Sequence, residues 1–402
     1  MVRERASRAA VAPTAPGPYH SDMTPASVAD FRELARRRLP PMLFEYIDGG
    51  SYAEVTLRRN VMDLEATLLR QRVMRDMSVL NTEVTVMGQR WSAPVALAPV
   101  GLAGMYRRRG EVQAARAAAQ AGVPFCLSTV SICSVEEVAA AAPPPWFQLY
   151  MLKDRGYMRE LLARAKAAGC PVLMFTVDLP TPGARYRDVR SGFSGGEGVP
   201  SFLNRAWQGV SHSAWLWDVW LSGRPHSLGN VQGAVTEGGD VADFLRWLAT
   251  NFDRTVTWRD IDWVREQWDG PILLKGVLDP EDAREARACG VQGLVVSNHG
   301  GRQLEGVRSS LSALPRIVQE VGADVQILMD GGVRSGLDVL KALSLGAKAC
   351  LVGRPWAYAL AAQGEGGVSR LIALLRNELA TAMVLTGCNR AEDANDSLLD
   401  RC

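Results

Sequence analysis

Histidine is scarce in this chain, with four in 402 residues: His20, His212, His226 and His299. The scarcity sharpens the search for a base, because histidine is the side chain whose charge ordinarily changes nearest neutral pH. No run reaches the roughly 18 uninterrupted apolar residues that a membrane-spanning helix requires, and the first residues lack the apolar stretch of a secretory signal. Neither sign of charge prevails: 45 Lys and Arg against 43 Asp and Glu leave a net charge of +2. A chain without a basic field is a poor binder of nucleic acid, so none is expected as a partner. The seven cysteines are odd in number and scattered, with no CxxC pair. They read as buried thiols in a reducing compartment, and no metal site is expected.

What is present is the composition of a soluble globular enzyme, 47% hydrophobic and 22% charged. Residues 1–22, rich in Ala, Pro and Arg, read as a disordered leader, and 23–402 as a single domain. In "TPASVADFRELARRRLP" Thr24 can cap a helix, Pro25 suits its first position, and Val28, Phe31, Leu34, Ala35 and Leu39 form an apolar stripe. After Pro40 and Pro41 a second helical stretch carries Tyr46 and ends near Gly49 and Gly50.

Eight short apolar runs follow: Val95 to Val100, Phe125 to Thr129, Trp146 to Met151, Val172 to Asp178, Ile272 to Val277, Gly293 to His299, Gln326 to Gly332 and Ala349 to Arg354. Most are separated by Ala-rich amphipathic segments ending in glycine. Strands apolar throughout and alternating with helices imply a parallel sheet covered on both faces. Eight such units imply a closed (β/α)8 TIM barrel with N-terminal helices. An open doubly wound sheet is the alternative, weakened because "APVGLAG" after the first strand does not match GxGxxG.

The fourth connection, Leu179 to Pro271, is far longer than the others and reads as an insertion spanning about 188–268, on the face where barrels place active sites. Eight of the eleven tryptophans lie between Trp207 and Trp268. Tryptophan favours the boundary of water and lipid, so this segment can be read as lying on a membrane. It can equally be read as a lid or an oligomer contact.

Polar residues interrupt the apolar runs near their C-terminal ends: Ser128 and Thr129, Gln148 and Tyr150, Thr176 and Asp178, Lys275, Asn298 and His299, and Asp330. Burying them is costly unless they are used, and a barrel directs all of them into one mouth. Each has a plain structural explanation alone, since Ser and Thr can bond to backbone and a strand-end Asp can cap a helix. Lys275, inside "PILLKGV", is harder to explain without a charge or cofactor to meet. His299 alone among the histidines ends a strand, and Arg302 supplies a fork for a carboxylate. Gly331, Gly332 and Gly353, each followed by an arginine (Arg334, Arg354), match the place where barrels bind phosphate through backbone N–H groups.

"SNHGGRQLEG" resembles the active-site signature of the FMN-dependent α-hydroxy acid oxidases and dehydrogenases, and similarity runs from about Ser27 to Leu399 through "PPMLFEYIDGG", "WFQLYML", "FTVDLPTPGARYRD", "DGPILLKGV" and "MDGGVRSG". "YRRRGEVQAARAAAQAGVPFCLSTVS" and "WLSGRPHSLGN" most resemble the bacterial membrane-associated L-lactate dehydrogenases. The resemblance implies FMN as cofactor, contacted by Pro99, Val100, Gly101, Ser128, Gln148, Thr176, Lys275 and Ser297, with Asp330, Gly331, Gly332, Arg334, Gly353 and Arg354 at its phosphate end. It implies that Tyr46, Tyr150, Arg185 and Arg302 hold the substrate, with His299 as base, Asp178 orienting it, and Lys275 stabilising charge on the reduced cofactor. It further implies a homo-oligomer, a tetramer, at the cytoplasmic face of the inner membrane, passing electrons to a quinone or cytochrome. An oxidase using O2 and a mandelate-type dehydrogenase are the nearer alternatives. A flavin-binding barrel without redox activity is the more distant one, and it would have no need of His299 and Arg302 together.

Overall fold

In the computed structural model the apolar runs become strands. The structure describes residues 24–194, 198–223, 228–230 and 250–400. The leader expected at 1–22 lies outside the described residues.

A two-stranded hairpin comes first, β1 (Val84–Val86) and β2 (Gln89–Trp91), turned at Met87 and Gly88, both left-handed with φ 50° and 72°. A pair of left-handed turn residues matches the twist of a tight hairpin. It plugs the base of the barrel: Gln89 Oε1 accepts from Trp146 Nε1 at 3.0 Å, and Met87 packs against Gly293, where a side chain would collide with it.

Eight parallel strands then form one sheet in the order β3-β10-β9-β8-β7-β6-β5-β4: β3 (Val95–Leu97), β4 (Cys126–Ser128), β5 (Trp146–Tyr150), β6 (Leu173–Thr176), β7 (Ile272–Val277), β8 (Gly293–Val296), β9 (Gln326–Asp330) and β10 (Ala349–Val352). A parallel bridge from Leu97 to Phe125 closes β3 against β4. This is the (β/α)8 barrel. Each expected run contains its strand, but most strands stop two to three residues early, so Asp178 and His299 stand on the loops beyond β6 and β8. Leu127, Leu149, Leu173, Leu273, Leu294 and Leu328 are fully buried, and burying such a side chain contributes about 1.5–3 kcal/mol.

The first helix, α1, spans Val28–Arg38, and its cap is Ser27, whose hydroxyl accepts from Asp30 N at 3.2 Å. Thr24 and Pro25 therefore precede the helix rather than start it, because Ser27 is the last residue with extended backbone, φ −151° and ψ 166°. Helix α2 (Pro41–Asp48) carries Tyr46 as expected but takes in the second proline at its first position, and α3 (Val55–Ala66) meets the loops that follow β8 and β9.

Part of the insertion is described. The helix Val199–Ser211 exposes Val199, Phe202, Leu203, Trp207 and Val210, which recur along one stripe. The short π-helical turn Leu216–Leu221 exposes Trp217 and Trp220. Trp215 faces the other way, buried and donating to Met105 O at 2.8 Å. Asp218 pairs with Arg38 at 2.9 Å and Arg107 at 3.2 Å, fastening the turn to the barrel. Asp260–Gln267 form a helix beside Arg155–Ala167, and Trp268 is buried behind it. His226 and Trp247 lie outside the described residues. Among the described residues no helix is long and apolar enough to cross a membrane.

Candidate active site

A cavity of about 360 Å³ opens at the C-terminal mouth of the barrel. Tyr46, Tyr150, Arg185, Lys275, His299 and Arg302 line it together with Pro99, Val100, Gly101, Asp330, Gly331, Gly332, Arg334, Gly353 and Arg354. Residues far apart in sequence meet there because parallel strands all end at one rim. Ser128, Gln148, Thr176 and Ser297 sit one layer beneath the wall, all nearly or fully buried.

His299 Nδ1 lies 2.9 Å from Asp178 Oδ1. An ionised carboxylate can only accept, so Nδ1 carries the ring proton and Nε2 is left as the basic nitrogen. Burial lowers the His299 pKa below its ordinary value, with Asp178 pulling the other way and Lys275 adding to the lowering. Burial would raise the Asp178 carboxyl, but the charges of His299 and Lys275 outweigh it and hold the group below its usual range. The imidazole is thus neutral and its partner ionised at neutral pH, the pairing a general base requires.

Lys275 is 4% exposed in the middle of β7. Its Nζ sits 3.2 Å from Asp330 Oδ2 and donates to Ser297 Oγ at 3.1 Å. Burial would depress the ammonium, and the Asp330 and Asp178 charges more than offset that, so its pKa is raised and it stays charged. Ser297 Oγ also accepts from His299 N at 3.0 Å, so this serine supports the lysine and the base loop rather than facing the cavity. Beneath them Ser128 Oγ donates to Gln148 Oε1 at 3.1 Å, and Gln148 Nε2 to Thr176 Oγ1 at 3.1 Å.

Two guanidinium groups flank the Tyr46 ring, Arg302 at 4.9 Å and Arg185 at 5.8 Å from its centroid. Arg302 Nη1 donates to Tyr46 O at 2.6 Å and to Gly49 O at 2.9 Å, which leaves the other edge of its fork for an anion. Burial and the Arg302 charge both lower the Arg185 pKa, the signature of a cation short of counter-charge. Four buried polar atoms around the cavity, Asp178 Oδ2, Asp188 Oδ1, Asp330 Oδ1 and Arg185 Nε, have no partner among the described residues. Orphaned atoms at one place mark where an occupant makes bonds.

A flavin mononucleotide fits this chemistry at both ends. Arg354 is half-buried yet bonds only to carbonyls, those of Ile47 at 3.0 Å, Gly300 at 2.9 Å and Gly49 at 2.8 Å. Burial lowers its pKa to about 9, with Arg302 and Arg334 contributing. Such an excess of positive charge beside Gly331, Gly332 and Gly353 suits a phosphate dianion. A Cβ on Gly332 would come 2.2 Å from Asn60 O, so only glycine lets that turn pass. At the other end, Lys275 and the amide and hydroxyl chain below it could hold the polar edge of a flavin ring.

Sequence reasoning overlooked several wall residues. Tyr106 is fully buried, lines the cavity and donates to Gly101 O at 2.9 Å. Asp188 is 5% exposed, 3.8 Å from Arg185, with Oδ1 unpartnered and its pKa raised by burial. Its position three residues after Arg185 on a helical turn was the available signal. Phe193 stacks on Tyr46 at 4.4 Å, and Phe252 meets Tyr150 edge-on at 5.6 Å. These two come from opposite ends of the long connection, which no local pattern reveals.

The model of the family "FMN-dependent dehydrogenase" matches residues 35–401. An L-lactate dehydrogenase of Caulobacter sp. (strain K31) is 57% identical over 375 residues, 93% of this chain and 98% of that protein. Another from Caulobacter vibrioides (strain NA1000 / CB15N) is 57% identical over 378 residues, 94% of this chain and 98% of that protein. Among solved structures, the monotopic membrane protein (S)-mandelate dehydrogenase is similar with a TM-score of 0.87 and 31% identity, covering 94% of this chain and all of that one. A mandelate oxidase is similar with a TM-score of 0.79 and 39% identity, covering 94% of this chain and 98% of that one. With the match spanning nearly the whole barrel, this chain belongs to the family of FMN-dependent dehydrogenases, and FMN is its cofactor.

Proposed function

We propose that this protein is an L-lactate dehydrogenase that oxidises L-lactate to pyruvate, with His299 as the base. The observation that carries this reading is the His299–Asp178 pair at 2.9 Å, in one cavity with two arginines that have spare anion-binding capacity. Arg185 and Arg302 bind the substrate carboxylate, and the phenols of Tyr46 and Tyr150 steady its oxygens. So held, the α-carbon faces the edge formed by Pro99, Val100 and Gly101, which is where positioning contributes to rate. His299 Nε2 accepts one proton from the substrate, and Asp178 stabilises the imidazolium that results. FMN, when bound, supplies the two-electron oxidant. Lys275 places positive charge where the reduced cofactor gains negative charge, a preorganised electrostatic contribution. Ser128, Gln148, Thr176 and Ser297 hold the polar edge of the flavin side, directly or through Lys275. Asp330, Gly331, Gly332, Arg334, Gly353 and Arg354 form the side that takes the phosphate.

Electrons pass on to a membrane quinone or cytochrome. The protein acts as a homo-oligomer, a tetramer of single-domain subunits built from 23–402, bound peripherally at the cytoplasmic face of the inner membrane. The apolar stripe of the helix Val199–Ser211 and the outward Trp217 and Trp220 support that placement, because exposed apolar surface of this kind is rare without a partner. The similarity to mandelate-oxidising enzymes favours a second reading, a dehydrogenase for a larger 2-hydroxy acid.

Anaerobic mixing of the flavoprotein with a panel of 2-hydroxy acids tests both. Bleaching of the flavin is expected to be fastest with L-lactate. Faster bleaching by mandelate would transfer the assignment to the second reading, and no bleaching by any acid would defeat both. Reoxidation with a quinone against O2 then identifies the acceptor.

A further inference from the structure

Asn60 on α3 and Asn298 at the start of the base loop face each other through their amides. Asn60 Nδ2 donates to Asn298 Oδ1 at 2.8 Å, and Asn298 Nδ2 returns the bond to Asn60 Oδ1 at 2.7 Å. The two side chains are 2% and 4% exposed. Their remaining capacity goes to neighbouring backbone. Asn298 Nδ2 also donates to Arg308 O at 3.1 Å, Asn298 Oδ1 accepts from Gly301 N at 3.0 Å, and Asn60 Oδ1 accepts from Ser310 N at 3.3 Å. Buried amides are costly unless satisfied, and here each oxygen accepts two bonds.

The pair touches two loops at once. On one side, His299, Gly300 and Gly301 are all left-handed, with φ 58°, 65° and 73°. A left-handed histidine persists only where its surroundings impose the conformation. The Asn298 carboxamide closes that turn by accepting Gly301 N, and Asn60 fixes the carboxamide. On the other side, the ideal Cβ of Gly331 would lie 3.4 Å from Asn60 Nδ2 and 3.5 Å from Asn298 Oδ1, and that of Gly332 would lie 2.2 Å from Asn60 O. The glycine turn at the phosphate end therefore rests directly on Asn60.

We propose that the Asn60–Asn298 amide pair is a positioning device that sets the base loop in register with the cofactor's phosphate loop, so that His299 meets a substrate whose place is defined by the bound cofactor. The proposal rests on the reading of His299 as the base. Neither asparagine lines the cavity, so both act through the loops they hold. A displacement of about 1 Å at a reacting group can cost on the order of 100-fold in rate. Loss of either amide should therefore slow chemistry more than it weakens substrate binding.

The test uses holoenzyme of Asn60→Ala, Asn298→Ala and the double variant, with Asn60→Ser as a milder change that puts a hydroxyl donor and acceptor in place of the amide. Rates are taken per bound flavin in anaerobic reduction by L-lactate, together with KM and the pH profile of kcat/KM. Each alanine variant is expected to lose at least tenfold in reduction rate with KM changed less than threefold and the acid limb displaced, while Asn60→Ser recovers part of the rate. The double variant is expected to be no slower than the worse single one by more than about threefold, since both substitutions break one unit. The proposal is overturned if rate per flavin stays within twofold of the parent, if the losses multiply in the double variant, or if the only effect is reduced flavin content. Should the alanine variants not fold, Asn60→Ser carries the same criteria at a smaller amplitude, at least threefold in rate. Failure of the underlying reading is separable, because it would appear as His299→Ala reducing its flavin at the parental rate.

Discussion

His299 is tuned by opposed influences: burial disfavours its cation, while Asp178 at 2.9 Å favours it. Because burial prevails, the free enzyme should keep the imidazole neutral to a lower pH than the ordinary value of 6.5. The acid limb of kcat/KM is thus expected below pH 6.5, and a limb above it would contradict the assignment. Replacing His299 with Ala should leave the bound flavin yellow while reduction by L-lactate falls by about 10²–10⁴-fold, the usual contribution of a general base. Stopped-flow absorbance at the flavin band measures it directly.

At the scale of elements, β7 carries a bulge that serves the site. Register shifts between Lys275 and Val277, and Gly276 sits between them with φ 110°. An ideal Cβ there would lie 2.5 Å from Asp178 Cβ and Cγ. Gly276→Ala should therefore push Asp178 away from His299 and cut flavin reduction by roughly 100-fold, even though neither residue of the pair is changed; a rate within threefold of the parent would show that β7 yields instead. Helix α2 depends on one carboxylate in a comparable way. Asp48 accepts from Arg32 at 2.6 and 2.8 Å, from Arg187 at 2.8 Å and from Tyr358 at 2.6 Å, tying the helix that presents Tyr46 to three other segments. Burial alone would raise its pKa, but these bonds hold it well below the carboxylate range. Asp48→Asn should lower stability by about 1–2 kcal/mol at neutral pH, since Asp48 is buried but Arg32 and Arg187 remain partly in water. With a depressed folded pKa, the advantage of the parent is complete above the unfolded carboxyl value of about 3.9 and fades as pH falls towards the folded value. Urea unfolding of parent and variant at pH 7 and at successively lower pH reads both the size and the sign.

For the whole molecule, the question is what meets the outward apolar face of the long connection. Phe202, Trp207 and Trp217 are each about two-thirds exposed, whereas Trp215 and Val219, on either side of Trp217, are buried. The segment thus divides into an inward anchor and an outward apolar surface. Trp207→Ser and Trp217→Ser spare the anchor. At about 2 kcal/mol for each buried side chain, cosedimentation with lipid vesicles should drop more than tenfold per substitution, while activity with a soluble artificial acceptor stays at the parental level. Unchanged cosedimentation would return the outward face to the role of an oligomer contact.

The eight strands were legible because a parallel strand covered on both faces must be apolar along its length, and that signal survives in one dimension. Lys275 and His299 were legible for the converse reason, as polar residues where burial would otherwise be costly. Thr24 misled as a helix start because several residues near it can cap, and only backbone geometry distinguishes them. Asp188, Phe193, Phe252 and the partnership of Asn60 with Asn298 could not be read locally, since each depends on contact between segments that the chain brings together only on folding. Sequence by itself determined the barrel, the family and the chemical inventory of the mouth, because periodicity and motif are properties of neighbours along the chain. Tertiary structure alone decided which nitrogen of His299 is free, which cations are short of counter-charge and which tryptophans face outward, because those depend on distance and on access to water.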